Sequence, residues 1–209
     1  ATHNTFFEML GNWSLGDPAS PDGIGQGGYG KIEAITWSYE FLIRELKLDA
    51  KRIYVSVFAG DSDAPFDQES FNTWLKIGVS QDHIFKYGKE ENWWPTGGDK
   101  PGPQGPDTEM FYDMDPKSKT PIDPAGNSQR FVEIWNDVFM QYQRNDKGSY
   151  SELKQKNVDT GMGLERMTFP YEIVEVEPGE VLDRGAYELR TWAAEHGGGA
   201  IGYALVERD

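Results

Sequence analysis

The chain has 209 residues, room for one full-sized core and too few for two comfortable ones. Its 20 Lys and Arg against 35 Asp and Glu leave a formal charge of -15, and no Lys/Arg run gathers the cations, so nucleic acid is not indicated by charge. Cysteine is absent, which excludes disulfides and thiolate metal sites, and no stretch approaches the roughly 18 consecutive apolar residues of a membrane span.

In chain order, Thr5 to Asp17 carries bulky residues broken by Gly11, Asn12 and Gly16, and is expected to form a hairpin. Pro18 to Gly30 is rich in Pro and Gly and reads as a flexible surface loop. Its glycines do not make a phosphate loop, because no strand closely precedes them and no Lys-Ser/Thr follows. Ile32, Ile35, Tyr39, Leu42 and Leu46 recur at helical spacing, which predicts an amphipathic helix over Lys31 to Leu48. Arg52 to Phe58 is β-branched and aromatic, hence a strand, and Gln68 to Ile77 a short helix. Trp93 to Pro106 reads as loop; Met110 to Asp113 and Phe131 to Gln143 read as strands, the second running into a polar turn, Arg144 to Gly148.

Val158 to Met167 is expected to turn into a helix. Tyr171 to Val176 and Gly179 to Leu182 read as a hairpin around Pro178. Leu189, Trp192, Ala193 and His196 mark a helix stopped by Gly197 to Gly199, before a last strand, Ala200 to Val206. Antiparallel strands with few helices imply a single α+β domain over residues 1–209, and no internal repeat is present. His83 and His196 lack metal-ligand partner spacing and are read as structural.

The segment Asn157 to Met167 (NVDTGMGLERM) gathers an acid, flexible backbone positions and an arginine. An Asp can hold an ammonium, Gly lets a ligand approach the backbone, and an Arg at a helix opening can hold a phosphate or stack on a flat ring. Together with TFFEMLGNWSLGD (Thr5 to Asp17), GPQGPDTEMFYD (Gly102 to Asp113) and FVEIWNDVFMQY (Phe131 to Tyr142), in this order, it closely resembles the catalytic domain of alanyl-tRNA synthetases, a class II aminoacyl-tRNA synthetase family. The resemblance covers about Thr5 to Met167.

It implies an antiparallel sheet flanked by helices that binds ATP, Mg²⁺ and L-alanine and forms alanyl-adenylate with release of pyrophosphate. By the same resemblance, Asp159 grips the α-ammonium of alanine. Trp94, Asn136 and Val138 line the small amino-acid pocket, and Gly161 offers a backbone contact near the methyl group. Arg166 matches the third motif's arginine on the ATP tail. Trp13 stands where the second motif puts an aromatic near the nucleotide, with His3, Glu8 and Met9 beside it, and Glu133 is the Mg²⁺ ligand by analogy with other class II enzymes. Simpler roles compete: Asp159 as a helix cap, Trp13 and Trp94 as core residues, Glu133 as a solvated strand residue, Arg166 in a surface ion pair with Glu8 or Glu165.

The chain departs from the family pattern in several places. Thr2 stands where the second motif carries an arginine on the ATP α-phosphate, which makes an impaired alanine/ATP-binding scaffold the alternative to an activating enzyme. Gln104 and Asp107 replace the usual cysteines, and Pro18 to Gly30 is longer than the family's link. Motif 1 is not found, and residues 171–209 match nothing after the third motif. Their expected helix, Tyr187 to His196, and strand either supply motif 1 from the other end or form an unrelated extension. The family's tRNA-binding and editing regions are not among these residues, so no independent tRNA charging is expected. A cytoplasmic monomer without signal peptide completes the expectations.

Overall fold

The computed structural model describes residues 5–168, 170, 181–183, 187–194 and 200–207, the last three stretches by their backbone alone. Two compact units divide the chain, residues 1–170 and 171–209.

The first unit opens with strand β1, Met9–Ser14. The hairpin expected over Thr5 to Asp17 is thus a single strand, and Gly11 is a point of close approach rather than a turn. A Cβ there would lie 2.0 Å from the carbonyl oxygen of Thr160. Helix α1, Lys31–Glu40, follows the loop, with the Gly30 N–H donating to the Glu33 carboxylate at 3.1 Å, and continues as a π turn over Phe41–Glu45. Its inner side buries Ala34, Ile35 and Leu42; Tyr39 and Leu46 are half-buried and Ile32 is exposed.

Strand β2, Ile53–Phe58, is buried along its whole length. Helix α2, Gln68–Lys76, is capped by Asp67, whose carboxylate accepts from the Ser70 N–H at 3.2 Å and hydroxyl at 2.7 Å. The same carboxylate accepts from Lys31 Nζ at 2.7 Å, so one buried acid joins the starts of both helices. Strand β3, Ile84–Tyr87, runs parallel to β2.

The remaining strands are β4 (Trp93–Trp94), β5 (Gly102–Asp113), β6 (Phe131–Arg144) and β7 (Tyr150–Gly163). The region expected to be loop, Trp93 to Pro106, therefore contributes β4 and the start of β5, which pair with each other. The helix expected over Val158 to Met167 is absent: Val158 to Gly163 completes β7, and only a 3₁₀ turn, Arg166–Thr168, follows. The sheet order is β1-β7-β6-β5-β2-β3, with β4 added on β5, and every pair except β2/β3 is antiparallel. One face of this α+β layer packs Val55, Met110, Ile134 and Phe139 against Ile35, Leu42 and Trp74 of the helical side. The other face carries the site.

The second unit forms its own antiparallel sheet, β10-β9-β8, from Val181–Asp183 (β8), Tyr187–Ala194 (β9) and Ala200–Glu207 (β10). The helix expected from Tyr187 is thus strand β9, and the helix-then-strand pattern of motif 1 is not what forms. The hairpin expected around Pro178 lies outside the described residues apart from Val181 and Leu182, as does His196.

Candidate functional site

Four adjacent strands build the site by simple alternation. Trp13 of β1 stands opposite Asp159 of β7, Asp159 opposite Val138 of β6, and Val138 opposite Asp107 of β5. One step along, Gly11, Gly161, Asn136 and Glu109 form a second row. Residues two apart share a face, so both rows lie on the side away from the helices. A register irregularity between Met110 and Phe111 then sets Glu133 opposite Phe111, in step with Asp107 and Glu109.

A cavity of ≈ 350 Å³ opens on this face, lined by Met9, Trp13, Trp94, Glu133, Asn136, Val138, Asp159, Gly161 and Arg166 among others. Residues from four separate stretches of sequence thus meet in one concavity. Glu8 does not line it: its N–H donates to both Glu165 carboxylate oxygens, at 3.2 and 3.0 Å, and its carbonyl accepts from the Leu164 N–H at 2.8 Å. That contact ties β1 to the turn that presents Arg166. His3 and Thr2 lie outside the described residues.

Several simpler roles do not match the geometry. Asp159 sits inside a strand and caps no helix. Trp13 is 66% exposed and Trp94 46%, so neither is a core residue. Arg166 pairs with neither Glu8 nor Glu165; its Nη1 donates to Glu133 Oε2 at 2.7 Å. Both partners of that pair are partly exposed, so its worth lies in orienting the guanidinium rather than in stability.

The floor of the site is acidic and dry. Asp107 is buried, its carboxylate accepting from Asn92 Nδ2 at 3.2 Å and from Asn136 Nδ2 at 3.4 Å. Burial pushes its carboxyl up to about 7 despite those two donors, and the nearby Glu133 adds to the rise. Glu109 is pushed up to about 10, by burial first and then by the negative charges of Glu133, Asp107 and Glu91, with Arg166 opposing. At neutral pH Glu109 therefore keeps its proton. Asn136 Oδ1 is buried and has no hydrogen-bond partner among the described residues.

Asp107, Glu109 and Asn92 escape sequence reasoning. The alternation in Pro106-Asp-Thr-Glu-Met110 was the available signal, masked by reading Trp93 to Pro106 as loop. Among the described residues no group of three or more acids or histidines is placed to hold a metal by itself. The carboxylate of Glu133 nonetheless fits a Mg²⁺ that arrives on a triphosphate, because that ion usually takes one or two protein carboxylates and leaves the rest of its shell to phosphate and water. Among the described residues no helix is long and apolar enough to cross a membrane.

A family profile described as tRNA synthetases class II (A) matches residues 1–174. The alanine–tRNA ligase of Treponema denticola is 50% identical over 169 residues, which is 79% of this chain and 26% of that protein. That of Treponema pallidum is 46% identical over 169 residues, with the same shares. That of Rubrobacter xylanophilus is 42% identical over 175 residues, 79% of this chain and 18% of its own length. The chain thus spans about a quarter or less of the length of these relatives.

Proposed function

The chain belongs to the class II (A) tRNA synthetases, and from that premise we propose that its first unit binds L-alanine and ATP and joins them as alanyl-adenylate. The observation that carries the reading is that Asp159 and Asn136 line one cavity together with Val138 and Gly161. A carboxylate and a neutral acceptor suit an ammonium, while Val138 and the Gly161 backbone leave room for a small side chain only. The alanine carboxylate oxygen attacks the α-phosphorus of ATP. A carbonyl–oxygen–phosphorus link forms, the bond from the α-phosphorus to the bridging oxygen breaks, and pyrophosphate leaves with that bond's electrons.

The chain's own residues contribute alignment and charge. Asp159 and Asn136 hold the ammonium, so that the alanine carboxylate faces the phosphate. Arg166, held ready by Glu133, takes the negative tail of ATP, and the exposed face of Trp13 takes the adenine. Protonated Glu109 supplies a donor rather than a fourth negative charge beside the triphosphate. Mg²⁺, when bound through Glu133, would neutralise phosphate oxygens. No independent tRNA charging is proposed for these residues.

Thr2 favours a second reading, a pocket that binds both reactants and turns over poorly, since a threonine cannot supply the positive charge of an arginine at the α-phosphate. Alanine-dependent ATP–pyrophosphate exchange separates the two, run on the parent, Asp159→Asn and Thr2→Arg. Exchange in the parent that collapses in Asp159→Asn supports the activating enzyme. Exchange only in Thr2→Arg supports an intact pocket disabled at that position, and none in any of the three refutes the activating enzyme and favours the scaffold.

A further inference from the structure

Between the two pocket rows lies a third, on the opposite face: Asn12, Thr160, Asp137 and Thr108 stand in register across β1, β7, β6 and β5. Alternation turns this row toward the helices, where the surrounding positions are apolar. Each member is wedged between two residues of the pocket face. Asp137 separates Asn136 from Val138, and Thr160 separates Asp159 from Gly161.

Asp137 is 0% exposed. Its Oδ2 accepts from Ser38 Oγ of α1 at 2.8 Å and its Oδ1 from Trp135 Nε1 at 2.9 Å. Thr108 Oγ1 accepts from Trp74 Nε1 of α2 at 2.8 Å and donates to the Ser56 carbonyl. Thr160 Oγ1, in a residue 2% exposed, has no partner among the described residues. An apolar side chain at 137 would serve packing as well or better, because a buried carboxylate must recover its lost hydration. The adenylate chemistry does not use this acid either, since it faces away from the reactants.

We propose that Asp137 is a positioning residue of the amino-acid pocket, tying the Asn136–Val138 segment of β6 to helix α1 through Ser38 and so fixing where Asn136 Oδ1 and Val138 stand. The inference rests on the alanine reading given above. Its mechanical basis is short: residue 137 shares a peptide unit with each neighbour, so a tilt of its backbone moves both pocket side chains together. Two hydrogen bonds of opposite origin, one from the helix and one from the strand's own Trp135, leave little freedom for that tilt.

The tie carries a proton dependence. Burial pushes the Asp137 carboxyl up to about 7, with the Ser38 and Trp135 bonds opposing. The titratable groups around it are Tyr29 of the loop before α1, Lys31 of α1, whose ammonium sits over Phe139 and pairs with Asp67, and Asp159 on the next strand. In the carboxylate form both oxygens accept. On protonation one oxygen becomes a donor, and the hydroxyl oxygen of Thr160, opposite it on β7, is the unused acceptor. Alanine KM therefore rises as pH falls below about 7.

The test combines exchange kinetics with one spectroscopic signal. In Asp137→Leu the KM for alanine rises about tenfold to a hundredfold while the KM for ATP holds, and Ser38→Ala, which keeps the carboxylate, moves alanine KM in the same direction. Asp137→Asn, which still accepts from Trp135, restores most of the alanine KM but loses its pH dependence. The indole N–H resonance of Trp135, assigned with Trp135→Phe, titrates near pH 7 in the parent and is flat in Asp137→Asn. Alanine KM unchanged in folded Asp137→Leu, or in Ser38→Ala should the leucine variant not fold, overturns the tie, as does an indole titration that survives in Asp137→Asn. Absence of alanine-dependent exchange in the parent and in Thr2→Arg, together with no alanine binding by calorimetry, overturns the alanine reading instead, a result the indole signal cannot mimic.

Discussion

Gly11→Ala tests the site through one atom. An ideal Cβ on Gly11 would lie 2.0 Å from Thr160 O, and real Cβ atoms do not come within 3.0 Å of such a neighbour, so β1 and β7 must part by about 1 Å at this point. The obstacle is backbone, with no side-chain rotamer to relieve it. Two residues on, Trp13 is set opposite Asp159, and two residues back, Met9 is set opposite Gly163, so both move with the strand. A misplacement of ~1 Å in a positioned group can cost about 100-fold, and that is the expected loss in ATP affinity or exchange rate. Stability changes far less: β1 is an edge strand, and losing one to three of its ladder bonds at about 1 kcal/mol each costs ~1–3 kcal/mol. Amide exchange over residues 158–163, followed beside ATP binding by tryptophan fluorescence, measures both parts. Gly163→Ala is the control, since its Cβ meets only Arg166 Cβ at an ordinary 3.5 Å. Protection and ATP affinity like the parent's in Gly11→Ala would refute the reasoning.

Other perturbations act on single groups. Lys31→Met leaves the Asp67 carboxylate buried without its cation and should cost about 3–5 kcal/mol in urea unfolding; a loss below about 1 kcal/mol would show that water replaces the ammonium. Asp107 titrates near 7 folded and near 3.8 unfolded, so the folded state binds its proton more tightly. Its contribution is complete below the unfolded value and disappears as pH rises through about 7, so the melting temperature should fall across that window and fall less in Asp107→Asn. Some slope persists in that variant because Asp137 titrates in the same range. Arg166→Ala should lower the exchange rate by ~10²–10³ with little change in alanine KM, and an equal rise in alanine KM would place the guanidinium on the amino acid instead.

The readable parts of the fold were those whose partner is the same stretch of chain. The stripe of Ile35, Tyr39 and Leu42 announces α1, and the unbroken apolar run of Ile53 to Phe58 announces β2, because each pattern is a property of one segment. The misread parts depend on what lies across the gap between strands. Tyr150 to Lys156, which the sequence leaves unassigned, has no buried apolar face of its own, and it is a strand because Tyr142 to Arg144 of β6 pairs with it. Gly161 and Gly163 read as turn and helix-start residues, yet lie in the ladder opposite Gly11 and Met9, and at Gly161 bare backbone is what lets β1 come close.

The site was legible in the same uneven way. Trp94, Asn136, Val138, Asp159, Gly161 and Arg166 could be named from the resemblance without knowing the sheet, whereas Asp107 and Glu109, although inside a matched stretch, could not, because their meaning comes from Val138 and Asn136 beside them. The buried row beneath the pocket is the extreme case. Thr160, Asp137 and Thr108 each interrupt the apolar half of an alternation, beside Val158 and Met162, Trp135 and Phe139, and Met110. Within that otherwise apolar inner face, Asp137 meets Ser38 and Trp135, and Thr108 meets Trp74. Alternation fixes which residues share a face, but which face is buried follows only from where the helices dock, and Asp137 is the residue at which that docking reaches the pocket.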